Sequence, residues 1–460
     1  MLRASPITRV TIHKRRVAQY KEDVAKSPPA LSLDMHPKAL ADRQITVDRE
    51  RTKRFPDLLF RKMQRMSASP LAFLRGAAPL FFDILAAHPH LGEGPPGEGW
   101  IVGDMHLENF GAYRPDPLGT SEPESSKGSP GSKTAPRLPG KKDRNARFNL
   151  NDFDDAIIGP WRYDVLRLTV SLLLGGRELG ANGLVALALC DLLLDAWARS
   201  AFDHAPPTDA PPPVLALTEQ VRARSKTMLL DARTEVVSGK RRFVRGPRYA
   251  DLPPEVVAAV PAAFEKYLAS LPEEEKPAKA SFEIVDQALR IAGTGSLGGL
   301  RIAVLVKGKH GSDGSWIFDM KEQGDPSASV VLGAPPMDPA ERVLTSFRTC
   351  VDRPPRMMGA TKLGAAGKFT NHSMFVRKLS PQEDKLNLRR LRGADLPALA
   401  TYLGHLLGAA HARAATKAPN AKWSPKDLEC IREHAIELAG IHEAVYLALC
   451  ERMRVLLPKT

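Results

Sequence analysis

The sequence predicts an α+β protein with two lobes, a mainly helical large lobe and a small lobe built on an antiparallel sheet. Apolar residues recur at the spacing of an α-helix in residues 43–87, 163–174 and 184–199. Beyond about residue 280 the pattern changes to a glycine-rich turn at residues 293–299, followed by short strand-like runs. Helices and strands that occupy separate parts of one chain are typical of this fold class.

Length and composition predict a soluble globular protein. The chain has 460 residues, of which 43% are hydrophobic and 26% charged, enough for two or more domains. Its longest apolar stretch, residues 165–176, contains Arg167 and is shorter than the roughly 20 residues of a membrane-spanning helix. Residues 1–26 are basic and lack the apolar centre of a secretory signal. We therefore expect a cytoplasmic location and no membrane association.

The charge and the cysteines exclude other classes. The formal net charge is +14, but much of the excess lies in residues 3–26, 127–147 and 240–248, which look flexible and carry few aromatic residues. Nucleic-acid binding is therefore not expected, and anionic substrates such as nucleotides account for the charge equally well. The four cysteines lie far apart without Cys-x-x-Cys spacing, so neither disulfides nor structural zinc are predicted.

The first part of the chain divides into an arm and a helical lobe. Residues 1–34 are polar and basic and predict a flexible arm, with ordered structure beginning near His36. Two or three helices then precede a short apolar run at residues 100–103, which reads as a strand. Residues 114–147 are rich in Pro, Gly, Ser and Lys and predict a flexible insertion, after which residues 148–150 form another strand. Two buried helices and a further helical stretch complete the lobe, at residues 35–270.

The second part begins after an acidic linker at residues 271–279. Residues 280–385 predict the nucleotide-binding sheet lobe, with strands at 300–307, 316–320 and 374–379, a turn at 309–314 and a helix at 340–351. Residues 396–415 and 425–457 have helical periodicity. These C-terminal helices, within residues 390–460, are expected to pack on the helical lobe.

Two acidic motifs carry the chemical prediction. Asp104 is followed five places later by Asn109, and a separate Asp152-Phe153-Asp154 sequence lies further on. Kinases arrange a catalytic base and two metal ligands in this way. Asp104 would accept the hydroxyl proton, while Asn109 and Asp152 bind Mg²⁺. Asp154 and the adjacent Asp155 would supply a further metal ligand or a supporting contact, and the alternative is that these residues cap turns and helices.

Two neighbouring residues have open roles. His106 either orients the loop through a hydrogen bond or binds a metal, and the first is the commoner role of a single histidine. Asp164 stands at the head of an apolar helix, where a carboxylate interacts favourably with the helix dipole. It could also accept hydrogen bonds from the backbone of the Asp104 loop, so we expect a supporting role.

The glycine-rich turn predicts a loop that covers phosphates. Gly293, Gly295 and Gly298, with Ser296 between them, are a weak signal alone, because dinucleotide-binding folds use similar glycines before a helix. Here a strand follows, and Leu300 stands where the glycine loop of a kinase carries its apolar cover residue.

Lys321, at the end of a strand, would then contact the α- and β-phosphates of ATP. Its expected partner is a helix carboxylate, with Glu341 the first candidate and Glu322 the alternative. An ordinary surface lysine is the competing interpretation.

These residues together resemble the aminoglycoside-phosphotransferase branch of the protein-kinase-like superfamily, whose catalytic loop reads His-Gly-Asp-x-His-x-x-Asn. The chain is more closely similar to a widespread bacterial family of uncharacterised proteins assigned to that superfamily. The matching segments are residues 69–76, 103–111, 151–155, 293–298 and 407–413, within a resemblance that spans residues 43–415. The resemblance implies a kinase-like two-lobe fold that binds ATP and Mg²⁺.

Two departures from that family pattern matter. Val102 stands where the phosphotransferases carry the first His of the loop. The glycine loop and Lys321 also follow Asp104 and Asp152, the reverse of the usual order, which predicts a circularly permuted chain in which residues 396–415 replace the helix leading into the catalytic loop. The competing account, ordinary order with an accessory sheet, needs residues 43–90 to form a nucleotide lobe, but that stretch is helical.

The sequence therefore predicts an ATP- and Mg²⁺-dependent phosphotransferase acting on a hydroxyl of a small molecule or, less favoured, of a protein. Alternatives are transfer of AMP, as in selenoprotein-O-like kinase relatives, and a nucleotide-binding scaffold without activity. A metal-dependent hydrolase that uses His106 with Asp104 and Asp154 is a further class. Neither the acceptor nor the oligomeric state follows from the sequence.

Overall fold

The computed structural model describes residues 32–115, 146–276, 281–307, 314–369, 371–417, 419 and 421–456. In these residues the chain is a mixture of helices and small antiparallel sheets, which confirms the α+β class. Most of the predicted arm, most of the predicted insertion and all but the last residue of the turn at 309–314 lie outside the described residues.

The first half of the chain is mainly helical. In order, its elements are α1 (Pro37–Thr52), α2 (Asp57–Met66), α3 (Pro70–Gly76), α4 (Ala78–Ala87), β1 (Glu98–Ile101), β2 (Phe110–Tyr113), β3 (Arg147–Leu150), β4 (Ile157–Pro160), α5 (Trp161–Glu178), α6 (Gly183–Phe202), α7 (Pro212–Arg222) and α8 (Lys226–Asp231).

The second half contains the large sheet and the last helices. Its elements are β5 (Thr234–Val237), β6 (Lys240–Phe243), β7 (Tyr249–Ala250), α9 (Pro254–Ser270), β8 (Ile284–Arg290), β9 (Arg301–Val306), β10 (Trp316–Gln323), α10 (Ser329–Leu332), α11 (Pro339–Cys350), β11 (Met358–Leu363), β12 (His372–Lys378), β13 (Asp384–Lys385), α12 (Leu396–Arg413), β14 (Ala415–Lys417) and α13 (Pro425–Leu456).

The N-terminal helical stretch forms four helices, where the sequence predicted two or three. The first helix, α1, begins just after His36, whose ring accepts a hydrogen bond from the Lys38 backbone. The additional helix boundary before α3 coincides with an N-cap residue inside the apolar pattern. Ser69 accepts a hydrogen bond from the Ala72 backbone (3.1 Å), and proline follows it in the first turn of α3.

The large sheet has the strand order β11-β12-β10-β9-β8-β7, with every neighbouring pair antiparallel. The glycine-rich segment joins β8 to β9, so it forms the turn of a hairpin as predicted. Leu300, Ile302 and Val304 pack in the core that the outer face of the sheet shares with α9. Leu300 therefore does not cover the cleft, and Arg301, which points the other way, takes that position.

The helix α9 packs on the sheet, although the sequence pattern grouped residues up to 270 with the helical lobe. Val260, Phe264 and Tyr267 of α9 belong to the same core as the outer face of the sheet. The β5–β6 hairpin interrupts the stretch that was predicted to be helical, and its Phe243 contacts the inner face near Leu305. Helical periodicity identifies an apolar face but not the neighbour that covers it.

The helices at the C-terminus pack on the helical first half. The helix α12 runs along α6, where a Cβ at Gly404 or Gly408 would overlap the backbone of α6, so these glycines allow a close approach. The helix α13 packs on α1 and α5, and the strand β14 pairs with β1. No single helix in the described residues is long and apolar enough to cross a membrane, and α3 with α4 meets those criteria only as a pair bent by 80°.

Candidate active site

Two loops of the helical half meet in the cleft below the sheet. The first, residues 102–109, follows β1 and carries Asp104, and the second, residues 151–155, follows β3 and carries Asp152. Gly103 has a φ of +79°, and a Cβ there would overlap the backbone oxygen of Asp155. Only glycine lets the two loops touch, because it combines the left-handed conformation with the smallest volume.

Asp164, near the start of α5, holds the first loop in place. Its two carboxylate oxygens accept hydrogen bonds from the backbone of Val102 (2.6 Å) and of Gly103 (2.9 Å). Behind it, Nε2 of His411 lies 3.2 Å from Asp164, while Trp197 donates to Nδ1 of His411 (3.1 Å). Since Nδ1 accepts, Nε2 carries the proton and donates to Asp164. This is the supporting role predicted for Asp164, and the roles of His411 and Trp197 were missed.

Asp104 is held by a buried arginine. Nη2 and Nε of Arg167 lie 2.5 Å and 3.0 Å from Oδ1 of Asp104, and Nη2 also donates to the Leu74 backbone (2.8 Å). Arg167 is fully buried in α5. Burial raises the pKa of Asp104 to about 7, since desolvation and the nearby Asp155 outweigh the guanidinium. The sequence showed Arg167 only as an interruption of an apolar helix, which is itself a signal, because a lone buried arginine needs an anionic partner.

Asn109 and His106 complete the first loop. The Nδ2 of Asn109 donates to the backbone oxygen of Asp104 (2.6 Å), and the backbone oxygen of Asn109 accepts from Asn151 (3.0 Å). His106 Nδ1 accepts from the Glu108 backbone (3.1 Å), and its Nε2 lies 3.9 Å from Asp104. Burial holds the pKa of His106 well below its usual value, so the ring is neutral. These contacts fit the orienting role.

Lys321 reaches across the cleft from the third long strand of the sheet, β10. Its ammonium forms an ion pair with Asp154 and lies 3.9 Å from Oδ1 of Asp152, while Gln323 donates to the other oxygen of Asp154 (3.0 Å). Burial lowers the pKa of Lys321 to about 8. Burial alone would raise the pKa of Asp152, but Lys321 and Lys385 hold it below its usual value. The structure thus brings together two segments that lie 169 residues apart.

The predicted partners of Lys321 are corrected. Glu341 lies in the first turn of α11 with its side chain exposed, and Glu322 binds Arg54 (2.5 Å) and His372 (2.9 Å) instead. Glu322 follows Lys321 directly, so strand alternation turns it to the opposite face. The residues of α11 that line the cavity are Val343 and Phe347, so the carboxylate comes from Asp154.

Sequence analysis also missed the arginine that supports the second loop. Arg342, buried in α11, donates to the backbone oxygens of Ala156, Asp154 (2.8 Å) and Gly324 (2.9 Å). Three backbone oxygens on one guanidinium fix residues 154–156 against α11. Arg342 directly follows Glu341 in the sequence, and nothing in the neighbouring residues indicated that it has a structural role.

The glycine loop lies directly over Asp104. Lys62 of α2 donates to the backbone oxygen of Gly295 (3.0 Å), and Arg65 donates to that of Gly293. A Cβ on Gly295 would lie 3.8 Å from Oδ2 of Asp104 and 3.2 Å from the Arg75 backbone. The absence of side chains thus permits the close approach of loop and carboxylate.

Two adjoining cavities occupy this cleft. One, of about 80 Å³, surrounds Asp104, and the other, of about 310 Å³, lies below the sheet. The residues that line both are Arg75, Asp152, Asp154, Gly293, Ser296 and Lys385. One space is therefore surrounded by the residues that were predicted to form the site: the glycine loop, Lys321, Asp104, Asn109, Asp152 and Asp154.

The donor set suits a hard cation. Asp152 and Asp154 supply carboxylate oxygens, and the amide nitrogen of Asn109 is engaged, which leaves its oxygen for a ligand. The Lys321 ammonium already pairs with the two carboxylates, so they accommodate positive charge. Mg²⁺ is commonly held by one or two carboxylates together with phosphate oxygens. In the described residues, no group of three or more His, Cys, Asp and Glu side chains is arranged to hold a metal ion.

Comparison with known proteins identifies the family. Searches against curated proteins and against solved structures gave no match. A family model described as an uncharacterized protein conserved in bacteria (DUF2252) matches residues 54–117 and 138–452. These ranges include both loops, the glycine segment, Lys321 and α12. The chain belongs to this bacterial family, as the resemblance in its motifs indicated.

Proposed function

We propose that the protein is an ATP- and Mg²⁺-dependent phosphotransferase that acts on a hydroxyl group of a small molecule. The observation that carries the proposal is the contact of Lys321, from the sheet, with Asp154 and Asp152, beside Asp104 and below the glycine loop. Phosphoryl transfer requires little covalent chemistry from the protein. It requires a base near the acceptor, cations near the phosphates, and fixed positions for both.

Asp104 is suited to accept the hydroxyl proton. Arg167 binds Oδ1, which leaves Oδ2 on the side of the glycine loop. With a pKa raised to about 7, the carboxylate is ionised above neutral pH and is a stronger base than an exposed Asp. The hydrogen bonds from Val102 and Gly103 to Asp164 hold its loop still.

Lys321 and the second loop are suited to bind the phosphates. A magnesium ion held by Asn109, Asp152 and Asp154 would offset the charge of the transferring phosphoryl group. Lys321 would exchange part of its contact with Asp154 for phosphate oxygens, and Arg342 would keep the loop in position from behind. The glycine loop would bring backbone N–H groups to the phosphates without side-chain obstruction.

The order of elements in the sheet supports a kinase-like arrangement. A glycine turn joins the first two long strands, β8 and β9, the third, β10, carries the lysine, and the helix α11 follows. Protein kinases use a glycine-rich loop, a lysine on the third strand and a following helix in the same order. The departure is that the carboxylate on the lysine comes from Asp154 rather than from the helix.

The pairing of β14 with β1 supports the permuted order. Lys417 of β14 pairs with Glu98 of β1, so the chain leaving α12 lies beside the strand that leads to Asp104. If the chain were joined from residue 417 to residue 98, the elements would follow in the usual kinase order, with the glycine loop and the lysine first and the catalytic loop second. Because the two strands are neighbours, permutation leaves the geometry of the cleft unchanged.

The test is ATP turnover by purified full-length protein with Mg²⁺ and a metabolite extract. ATP labelled at the γ-phosphate should transfer its label to a small molecule, and Asp152→Ala should abolish transfer while leaving the thermal unfolding transition in place. Asp209→Ala, an exposed carboxylate outside the cleft, is the matched control and should retain turnover.

The position of the label in ATP also distinguishes the alternative functions. Transfer of label from the α-phosphate with the corresponding mass shift would indicate transfer of AMP. Thermal stabilisation by ATP without any product would indicate a nucleotide-binding scaffold. Unchanged turnover in Asp152→Ala would reject the assignment of the second loop.

A further inference from the structure

The larger cavity is unusually rich in cationic side chains. It lies below the inner face of the sheet and has a volume of about 310 Å³. Six cationic side chains line it against three carboxylates: Arg75, Arg290, Arg301, Lys321, Arg377 and Lys385 against Asp152, Asp154 and Asp319. The excess of cations calls for a physical explanation.

Strand register turns these charges towards the cavity. Lys321 is directly opposite Arg301 on β9, and Asp319 is directly opposite Arg377 on β12. Opposite residues of antiparallel strands share a face, and so do residues two apart along a strand. All four side chains therefore lie on the inner face, while their apolar neighbours form the core with α9.

One carboxylate serves three of the arginines. Asp319, which is 2% exposed, lies 2.6 Å from Arg290, 2.5 Å from Arg301 and 3.9 Å from Arg377. Arg377 lies 3.5 Å from a second carboxylate, that of Glu383. Arg75 pairs with Glu108 (2.8 Å), and with Glu108 and Glu383 counted the six cations still outnumber five carboxylates. Buried charge without a partner is costly.

Several donors in the cavity lack acceptors. Lys385, which lines both cavities, makes no side-chain hydrogen bond or ion pair within the described part of the chain. The Nε atoms of Arg290 and Arg75 are buried without a hydrogen-bond acceptor. Burial lowers the pKa of Lys385, and the nearby Asp152 offsets only part of that shift. Since buried donors are normally paired, these three mark places for ligand acceptors.

We propose that this cavity binds a linear oligophosphate. An apolar ligand group would leave the Lys385 ammonium and the Nε atoms of Arg290 and Arg75 without acceptors, whereas each phosphate carries negative charge and oxygens that accept several hydrogen bonds. Arginine is suited to phosphate through paired N–H donors. The shared lining of the two cavities lets an extended chain pass from the Asp104 side into the basic cavity. The binding does not depend on the proposed transfer reaction, although it names the class of phosphate donor that would suit it.

The test is isothermal titration calorimetry of the full-length protein with sodium tripolyphosphate, without nucleotide. We expect one site per chain, weakened about tenfold or more in Lys385→Met and in Arg377→Met, because each variant removes a charge-assisted contact. Arg377 lines only the larger cavity, so its variant distinguishes this site from the one around Asp104. Lys307→Met, an exposed lysine at the far end of β9, is the control and should bind as the wild type does.

Three results would overturn the inference: no binding to the wild type, undiminished binding in both variants, or equal binding of citrate, a polycarboxylate. Lys385 has no ion pair among the described residues to lose, so its variant should fold and keeps the test decisive if Arg377→Met does not. ATP turnover is measured separately. Tripolyphosphate binding without ATP turnover would support this site and reject the proposed function. ATP turnover without tripolyphosphate binding would reject this site only.

Discussion

The two sides of the cleft differ in how completely their charges are paired. We call residues 102–109 and 151–155 the floor, and Arg290, Arg301, Asp319, Lys321 and Arg377 the roof. On the floor, Arg167 binds Asp104, Asp164 binds the loop backbone, and Arg342 binds the second loop. On the roof, three arginines share one buried carboxylate. The floor is therefore pre-organised without a ligand. The roof, by contrast, retains positive charge that a bound ligand could neutralise.

The largest effect is expected from Arg167→Met on the floor. The change leaves Asp104 without its cation and the Leu74 oxygen without a donor, so the free energy of unfolding should fall by about 3–5 kcal/mol. Urea unfolding followed by circular dichroism measures it. The double variant with Asp104→Asn should recover part of the loss, because position 104 then carries no unpaired carboxylate. A loss below about 1 kcal/mol would contradict the view that the floor depends on this pair.

Asp319→Asn tests the roof and is expected to cost about 3 kcal/mol at neutral pH, because three guanidinium groups lose their shared anion. Burial alone would raise the pKa of Asp319, but Arg290 and Arg301 hold it below its usual value. A depressed pKa contributes stability above the unfolded-state pKa of about 3.9, and that stability is lost as the pH falls further.

Unfolding of wild type and Asp319→Asn should therefore be compared across acid pH. The difference in the free energy of unfolding should be constant from about pH 7 to 5 and should shrink below about pH 4. A difference that stays constant down to pH 2 would show that the carboxylate is not held ionised by the arginines.

Gly103→Ala tests the contact between the two loops of the floor. Alanine is strained at the positive φ, and its Cβ overlaps the Asp155 backbone, so we expect a loss of about 1–3 kcal/mol in stability. Differential scanning fluorimetry measures the shift. Gly239→Ala is the control for φ alone, because Gly239 also has a positive φ but nothing within 4 Å of a Cβ. Equal decreases of the unfolding temperature in both variants would contradict the inference that contact between the two loops depends on Gly103.

The smallest effect is expected from Lys385→Met. The free energy of unfolding without ligand should stay within about 1 kcal/mol of the wild type or rise, because the partly buried lysine makes no ion pair with any described residue. Chemical unfolding in the absence of phosphate measures it. A large loss would mean that Lys385 is paired in solution, and the excess of positive charge around the cavity would be smaller than the structure indicates.

Local pattern predicted most of the elements and the segments that surround the cleft. The glycine turn followed by strands, the helical periodicity and the turn residues around Asp104 and Asp152 each depend on neighbours along the chain. The first helix in the described residues also begins just after His36, and such capping is local. The predicted helical lobe failed at residues 234–270, where a hairpin and α9 pack on the sheet, because the choice of partner is a long-range property.

Partners across the cleft were the least predictable. Glu341 was expected to bind Lys321 on the pattern of a helix carboxylate, yet α11 turns Val343 and Phe347 to the cavity, and Asp154 makes the pair. Helix rotation depends on which face the surrounding core covers, and one residue shifts the side chain by about 100°. Lys385, on a strand of two residues, carried no periodic signal at all.

The sequence by itself determined the α+β class, the two acidic loops, the glycine hairpin and the membership of a bacterial family, because all of these are recorded in residue type and short spacing. Only the tertiary structure decided that Arg167 pairs with Asp104, that Asp154 pairs with Lys321, and that the roof faces the cavity with unbalanced charge. Ion pairs act over a few ångströms in space, and folding brings together charges that lie far apart along the chain.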